Sequence, residues 1–502
     1  MKKITALILL ICVLCACLIA CDTTEVGNVV FGSSDIITTA FDGLGVEWGT
    51  YEDTNKLIKG SWSRVLASVD KLNPALVRCM TNLDWFVTDF DTHGTTSTDD
   101  DTWGYNFNNK QMINASNVLD YCQVHGIKVA FGVWNVIGNA DPDKDEFGMI
   151  PNATSDPRWA KMCADLMDYL INKKGYTCIQ WFVNTNEPNV SGRVGVSKNA
   201  YNTFEKWEQG MKNVRKAFDT IGLTELSLVG GDATRYIDSE RDYMKNTAKY
   251  LSDILDNYGI HVYAQYNELA NGEFETYLKK LYKEIKHKDG DLGKSKNLYI
   301  WESGLLWGKV TETDCNTYIT DPAYGLLMAD YTVQAIMGGA NGIVYWDLDD
   351  AMHYMYSEDG ATAKEWGMFS TLATADSSMQ EYRPWYHSSV LLTNLLRPGY
   401  TIYGKSSGRD GVRTMAAVSP DRKRGGYVVV NNSFKDITEK LLITDVVEGG
   451  DKLYLYYYNE EMLRIGTDGF VEPNYVIDGT LNTELNLDVP AGTLVVVCNE
   501  RI

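Results

Sequence analysis

Eight short apolar runs, separated by helical segments, are the feature that most constrains the fold of this 502-residue chain. Each run has the length of a buried β-strand. Strands that alternate with helices are typical of parallel sheets, because a parallel pair needs a crossover connection. The predicted strands span residues 41–48, 75–81, 128–135, 179–185, 226–232, 260–266, 298–302 and 342–347.

The segment before the fourth run illustrates the helical signals. Asp156 is a cap residue, Pro157 suits the first turn, and Gly175 predicts the end of the helix. Apolar residues recur at spacings of four, three and four, at Trp159, Cys163, Leu166 and Leu170. Eight such units close into a (β/α)8 TIM barrel, so we predict an α/β fold with a catalytic barrel at residues 40–396.

The pattern changes after the barrel. Residues 426–432, 452–458 and 492–497 form closely spaced, strand-like runs without a helical period. Such runs indicate a C-terminal β-sandwich domain, which we place at residues 397–502. The strand-like stretch 29–39 comes too early for the barrel, so we expect it to join this sandwich.

The N-terminus has the pattern of an export signal. Residues 1–20 combine two lysines with an apolar run and precede Cys21 in the sequence Leu-Ile-Ala-Cys. This motif resembles the lipobox of bacterial lipoproteins, in which the cysteine is lipidated and becomes the mature N-terminus. We therefore predict a protein exported and lipid-anchored to the bacterial cell envelope, with residues 21–39 as a tether that includes the sandwich strand. The alternative is an uncleaved anchor, which also tethers the chain to a membrane.

The charge and the cysteine pattern exclude several classes of partner. The chain has 46 basic and 67 acidic residues, a net charge of −21, which disfavours nucleic acid as a partner. Six cysteines beyond the signal lack close-paired spacing, and six histidines are not clustered, so we predict no metal site and no cofactor. The 31 Tyr and 13 Trp suit a neutral carbohydrate but are also ordinary core residues. The oligomeric state stays open.

Two glutamates lie at the ends of predicted strands. Glu187 follows the fourth strand in Asn186-Glu187-Pro188, and Glu302 ends the seventh. With strands about 4.8 Å apart and tilted about 36°, an eight-stranded barrel has a radius of roughly 7.5 Å, so backbones three strands apart are separated by roughly 14 Å. Two inward-pointing glutamate side chains, each about 4 to 5 Å long, then leave a gap of about 4 to 6 Å. This gap matches the roughly 5 to 5.5 Å of a retaining glycosidase and not the roughly 6.5 to 9.5 Å of an inverting one.

These motifs resemble clan A of the glycoside hydrolases, the retaining barrel enzymes. The resemblance covers the whole barrel, and the opening at residues 41–45 with an appended sandwich is reminiscent of families 30 and 39. It implies that Glu187 is the acid/base, that Glu302 is the nucleophile, and that Asn186 holds the sugar 2-hydroxyl. The further substrate-binding positions that it implies are Arg78 on strand two, His261 or Tyr263 on strand six, and Trp346 on strand eight.

Other residues join the predicted cleft by position alone. Trp134 and Asn135 end the third strand as Trp346 ends the eighth, so we expect them to line the cleft. The function that follows is a retaining glycoside hydrolase that degrades β-linked oligo- or polysaccharides. A non-catalytic carbohydrate-binding surface lipoprotein for glycan capture is the alternative, and a transglycosylase on the same machinery is a third. Neither the sugar nor endo versus exo action follows from the sequence.

Overall fold

The structure is a computed structural model that describes residues 26–49, 62–91, 93, 100–134, 153–190, 203–235, 240–289, 296–307, 316–350, 366–369, 382–445 and 447–502. The predicted signal segment, Cys21 and Asn135 lie outside these residues. In the described part of the chain, no helix combines the length and the apolar character needed to cross a membrane.

The described residues form twenty β-strands and nine α-helices. In chain order the strands are β1 (Val26–Phe31), β2 (Ile36–Thr38), β3 (Gly43–Glu47), β4 (Leu76–Thr81), β5 (Val87–Asp91), β6 (Thr102–Tyr105), β7 (Lys128–Val133), β8 (Ile179–Val183), β9 (Ser227–Thr234), β10 (Asn257–Gln265), β11 (Asn297–Leu306), β12 (Ala340–Tyr345), β13 (Thr401–Ser406), β14 (Val412–Val418), β15 (Gly425–Asn431), β16 (Ile437–Ile443), β17 (Lys452–Tyr458), β18 (Tyr475–Asp478), β19 (Leu485–Val489) and β20 (Thr493–Cys498). The helices are α1 (Trp62–Leu72), α2 (Lys110–His125), α3 (Pro157–Met167), α4 (Phe204–Thr220), α5 (Glu240–Leu251), α6 (Tyr266–Ala270), α7 (Glu273–Asp289), α8 (Pro322–Met337) and α9 (Pro384–Leu395).

The predicted (β/α)8 barrel is confirmed. Eight strands close in the order β3-β4-β7-β8-β9-β10-β11-β12, and every neighbouring pair is parallel. They correspond one by one to the eight predicted runs. The hairpin of β5 and β6 lies outside the barrel, in the connection after its second strand. Because all strands run the same way, their carboxyl ends meet at one face, where barrel enzymes place reacting groups.

One strand boundary was wrong in a way that matters for the site. The seventh strand was expected to end at Glu302, but β11 continues to Leu306. It does so because β10 pairs with it as far as the contact of Gln265 with Leu306. Glu302 therefore lies inside a strand and not at its end.

The helix before the fourth strand follows its sequence signals. Asp156 caps α3 by accepting a hydrogen bond from the amide of Arg158 at 2.9 Å, and Pro157 is its first residue. A π-helical segment, Asp168–Lys173, continues α3, and Gly175 with a φ of 82° then ends the helical path. All four apolar residues of the predicted stripe are buried.

The β-sandwich is confirmed as well, and it contains both N-terminal strands. One sheet has three strands in the order β1-β16-β19, and the other has seven in the order β18-β17-β20-β15-β14-β13-β2. The stretch 29–39 was expected to be one strand, but the 3-10 turn Ser33–Asp35 divides it between the two sheets. Pairing partners distant in sequence determine this division, so local pattern could not show it.

The seven-stranded sheet is covered on both faces. Alternate residues of β15 point in opposite directions: Tyr427 and Val429 pack against the three-stranded sheet, whereas Val428 and Val430 join the core of the barrel helices. Helix α8 is buried on nearly all sides as a result. The Tyr458 hydroxyl donates a hydrogen bond to the Pro322 carbonyl at 2.8 Å, which joins β17 to the start of this helix. The sandwich is thus packed onto the barrel through a continuous apolar core.

Gly45 in β3 lies directly against the backbone of the neighbouring barrel strand. A Cβ at this position would lie 1.9 Å from the carbonyl oxygen of Leu76, which is backbone of the neighbouring strand. We expect Gly45→Ala to reduce the free energy of unfolding by about 3 kcal/mol or more, since overpacking against backbone cannot relax by a rotamer change. The urea unfolding midpoint measures this loss.

Gly479→Ala is the matched control. Its Cβ would meet Leu453 at 3.5 Å, an ordinary contact distance, so its effect should stay within about 0.5 kcal/mol. Equal midpoints for the two variants would contradict the close strand contact at Gly45.

Candidate active site

The Asn-Glu-Pro motif forms a turn just beyond the fourth barrel strand. The backbone amide of Asn186 donates to the carbonyls of Val133 and Trp134, at 3.1 and 3.2 Å, which ties the turn to the third strand. Glu187 then adopts a φ of 44°, and the 3-10 turn Pro188–Val190 follows. A left-handed backbone costs a non-glycine residue about 1 to 3 kcal/mol, so surrounding contacts must hold it.

Asn189 supplies contacts of this kind. Its side-chain amide donates to the carbonyl of Thr234 at 2.8 Å and accepts from the amide of Thr234 at 3.0 Å. This reciprocal pair joins the turn to the end of β9, the fifth barrel strand. Glu187 is therefore held between the third and fifth strands and points into the barrel mouth.

Glu302 approaches Glu187 from the seventh strand. One carboxylate oxygen of each residue lies within 4.8 Å of the other and of a ring nitrogen of His261. This upper limit is compatible with the gap of about 4 to 6 Å that barrel geometry gives for side chains three strands apart. The two carboxylates differ in environment, since the Glu302 side chain is 6% exposed and that of Glu187 is 27% exposed.

Arg78 lies at the centre of the site and is fully buried. Its Nη1 donates to Glu302 at 2.8 Å and to Glu47 at 3.0 Å. Its Nη2 donates to Asn186 at 2.7 Å and to Asp232 at 2.9 Å. One guanidinium thus contacts groups from four other positions around the barrel.

His261 is the second cationic group. Its Nε2 lies 3.0 Å from Asp232, and its Nδ1 lies 3.1 Å from Glu187 and 3.4 Å from Glu302. Burial lowers the pKa of this imidazole, but the charges of Asp232 and Glu302 outweigh burial and raise the pKa to about 10. The ring is then protonated at neutral pH and donates on both sides.

The buried acids respond differently to this environment. Burial raises the pKa of Glu47 to about 8, against the opposing charge of Arg78, so this carboxyl holds a proton at pH 7. Burial also raises the pKa of Glu302, and the charges of His261 and Arg78 act against that rise. For Asp232, burial is likewise the largest influence, but Arg78 and His261 together lower its pKa below the usual range. Arg78 was expected to favour ionised Glu302, and it does so only in opposition to a larger effect of burial.

Tyrosine and tryptophan side chains complete the walls. The hydroxyl of Tyr263 donates to Glu302 at 3.0 Å, and its ring meets Trp366 edge to face at 5.5 Å. Trp134 and Trp346 meet at 5.9 Å with an interplanar angle of 87°, and Arg78 lies 5.3 Å from the ring centre of Trp134. The peptide bond after Trp346 is cis.

The structure brings the sequence-predicted residues together at one barrel face, in direct or neighbouring contact. Those described are Arg78, Trp134, Asn186, Glu187, His261, Tyr263, Glu302 and Trp346. Asn135 lies outside the described residues.

Four residues of the site were missed by sequence reasoning. Glu47 and Asp232 each end an apolar run in the same way as Glu302, so the signal was present and was not used. Asn189 follows the Asn-Glu-Pro motif directly, and only its contact with the fifth strand shows its role. Trp366 has no local signal, because it reaches Tyr263 from a segment beyond the last barrel strand.

Glu187, His261 and Glu302 also have the spacing of a possible metal site. Two observations disfavour a cation among them. Glu302 already accepts from Arg78, and the raised pKa of His261 favours the imidazolium, which has no lone pair for a metal. The donors therefore fit a proton-transfer site better than a metal centre.

The raised pKa of Glu47 generates a prediction about stability and pH. A carboxyl whose pKa is higher in the folded than in the unfolded protein contributes stability below the unfolded value of 4.5, and this contribution is lost as the pH rises towards about 8. Glu47→Gln has no proton to lose. We expect its free energy of unfolding, relative to wild type, to increase between pH 5 and pH 8, by about 1.4 kcal/mol for each unit of pKa shift.

Urea unfolding of both proteins at several pH values measures this difference. Glu484→Gln, at an exposed position in the sandwich, is the control and should follow the wild type at every pH. An identical pH dependence for Glu47→Gln and wild type would contradict a protonated Glu47.

No protein-family model and no curated protein matches the chain. Solved structures do match over nearly its whole length. A family 30 glycoside hydrolase endoxylanase from Clostridium papyrosolvens is 13% identical, with a TM-score of 0.59, covering 95% of this chain and 100% of the other. The catalytic domain of the family 30 xylanase C from Talaromyces cellulolyticus is 12% identical, with a TM-score of 0.62 and coverage of 94% and 100%. An α-L-arabinofuranosidase from Thermotoga maritima is 13% identical, with a TM-score of 0.62 and coverage of 95% and 100%. The resemblance to glycoside hydrolase clan A, close to family 30, is thus confirmed at the level of the fold.

Proposed function

We propose that this protein is a retaining glycoside hydrolase that cleaves β-linked oligo- or polysaccharides by double displacement. The observation that carries the proposal is the meeting of two carboxylates, from the fourth and seventh strands, with oxygens within 4.8 Å. A gap of this size suits direct attack by one carboxylate and is too short for the intervening water of an inverting enzyme. The names of the similar solved structures specify different glycosides as substrates, so what these proteins share is cleavage of a glycosidic bond.

The contacts of the two glutamates support different roles. Glu302 is buried and accepts from Arg78 and Tyr263, which orient it and favour its anionic form, as a nucleophile requires. Glu187 is more exposed and contacts His261, so it can reach both a leaving group and an incoming water. We assign Glu302 as the nucleophile and Glu187 as the acid/base.

The reaction then has two steps. Glu302 attacks the anomeric carbon while Glu187 donates its proton to the departing glycosidic oxygen, which gives a covalent glycosyl-enzyme. Water next attacks the same carbon, Glu187 takes up a proton from it, and Glu302 is released. Protonated His261 donates towards both carboxylates and lies where charge moves during each step.

Substrate-binding roles follow from the same geometry. Asn186 accepts from Arg78 through its Oδ1, which orients its amide for the 2-hydroxyl that the family resemblance implies. The edge-to-face pair of Trp134 and Trp346 offers apolar ring surface at the ends of the third and eighth strands, where a sugar ring can stack. We propose that these two rings form the first sugar subsite.

Substitution of the two glutamates separates their roles. We expect Glu302→Gln to abolish turnover of every glycoside tested, because no other described carboxylate replaces the nucleophile. Glu187→Gln should lose about 10² to 10⁴ in rate on polysaccharides but form the glycosyl-enzyme with dinitrophenyl β-glycosides, whose leaving group needs no proton. Steady-state and burst kinetics on both substrate classes measure this.

Two further experiments test the mechanism. A fluorosugar inactivator should label Glu302, and NMR of the first product should show retention at the anomeric carbon. Label on another carboxylate, or inversion, would contradict the proposal. Glycan binding without turnover, unaffected by Glu302→Gln, would instead favour the binding lipoprotein.

We also propose that the chain is exported and anchored to the cell envelope through a lipid on Cys21. The support is the sequence Leu-Ile-Ala-Cys after an apolar run. In a bacterial host grown with radiolabelled palmitate, the wild type should take up label and Cys21→Ser should not. Cys498→Ser, at a buried free thiol of the sandwich, is the control and should keep the label. Label on Cys21→Ser would contradict this anchor.

A further inference from the structure

Three aromatic rings are stacked beside the candidate active site and take no part in the mechanism above. Trp307 lies between the other two, with its ring centre 6.1 Å from that of Tyr266 and 4.6 Å from that of Tyr318. The interplanar angles are 18° and 26°, so the three rings are nearly parallel. Tyr266 is 36% exposed and Tyr318 is 43% exposed, so ring surface remains open to solvent. We call these three residues the aromatic platform.

The platform continues the two strands that carry the reacting groups. Tyr266 directly follows β10 and lies three residues beyond Tyr263, which contacts Glu302. Trp307 directly follows β11 and lies five residues beyond Glu302. Five residues of extended chain span at most about 17 Å, so the platform lies on the same face as the catalytic centre, a few sugar rings away from it.

Local contacts hold the platform in place. Asn316 is buried, donates to the carbonyl of Leu305 at 3.0 Å, and accepts from the amide of Tyr318, which fixes the turn to the end of β11. Glu268 caps the helix that begins at Tyr266 and pairs with Arg235. A surface that is ordered before binding loses little entropy when a ligand covers it.

A neutral glycan is the ligand that this surface fits. Flat aromatic rings offer apolar area to the C–H faces of sugars and also polar edges, here the tyrosine hydroxyls, for hydrogen bonds. The net charge of −21 disfavours polyanions. Continuity with the catalytic centre favours the substrate itself over a separate protein partner.

We propose that the aromatic platform is a distal sugar-binding subsite, and that the substrate is an extended neutral glycan chain rather than a short terminal glycoside. The proposal rests on the proposed function, because it places the far end of the same substrate. A chain that reaches both the carboxylates and the platform must extend over several sugar units.

Variants at the platform test this by a difference between long and short substrates. Tyr318→Ala removes an outer ring of the platform, and Trp307→Ala removes the ring on which it stacks. We expect each variant to lower kcat/KM on soluble xylan or β-glucan about tenfold, the loss of one good stacking contact. Turnover of the corresponding dinitrophenyl β-glycoside should stay within about twofold of wild type. Tyr318 is more exposed than Trp307, so Tyr318→Ala is the variant that controls for misfolding. Its thermal midpoint should equal that of wild type.

Phe434→Ala is the matched control, since Phe434 is 97% exposed in the sandwich, and it should change neither substrate. Equal losses on long and short substrates would assign the platform a structural role and overturn the proposal. No loss on either would overturn it as well.

A binding measurement separates this proposal from the proposed function. Affinity electrophoresis in xylan or β-glucan gels, with Glu302→Gln and with Glu302→Gln/Tyr318→Ala, does not depend on turnover. Retardation that Tyr318→Ala abolishes supports the platform even if the wild type hydrolyses nothing, in which case only the proposed function fails. Retardation that is absent, or that Tyr318→Ala does not change, overturns the platform.

Discussion

The buried guanidinium of Arg78 is the interaction on which the rest of the site depends. A cation removed from water is stable only with several hydrogen-bonded partners, because its desolvation costs several kcal/mol. Arg78 finds them in Glu47, Asp232, Glu302 and Asn186, which come from four other positions around the barrel. Its hydrogen bonds therefore hold the polar groups of the candidate site together. Loss of this one charge would leave three buried acids without their shared partner.

Burial and the two cations act unequally on the buried acids of the site. Arg78 and His261 together lower the pKa of Asp232, whereas burial raises the pKa of Glu47 to about 8 against the charge of Arg78. The raised pKa values of Glu47 and Glu302 limit the negative charge buried among the described residues of the site. Unequal environments of this kind are how a protein gives neighbouring carboxyl groups different protonation states.

The β-sandwich covers part of the barrel from outside. Its larger sheet packs on α8 and α9, and α8 leads from the seventh strand to the eighth. The strand that carries Glu302 and the strand that ends just before Trp346 are thereby joined through a helix that is buried on nearly all sides. We interpret the sandwich as a support for this half of the barrel, because both faces of its larger sheet are occupied by packing.

The sequence by itself determined the eight strands, the helix signals and the two glutamates, because these depend on local periodicity and on residue type at a strand end. Tertiary structure alone decided the extension of β11 past Glu302, the division of β1 from β2, and the roles of Asn189 and Trp366. Each of these depends on pairing or packing partners that are remote along the chain. Glu47 and Asp232 stand between the two cases. Their positions were visible in the sequence, but their protonation depends on burial and on the nearby charge of Arg78, joined for Asp232 by that of His261, and only folding sets these.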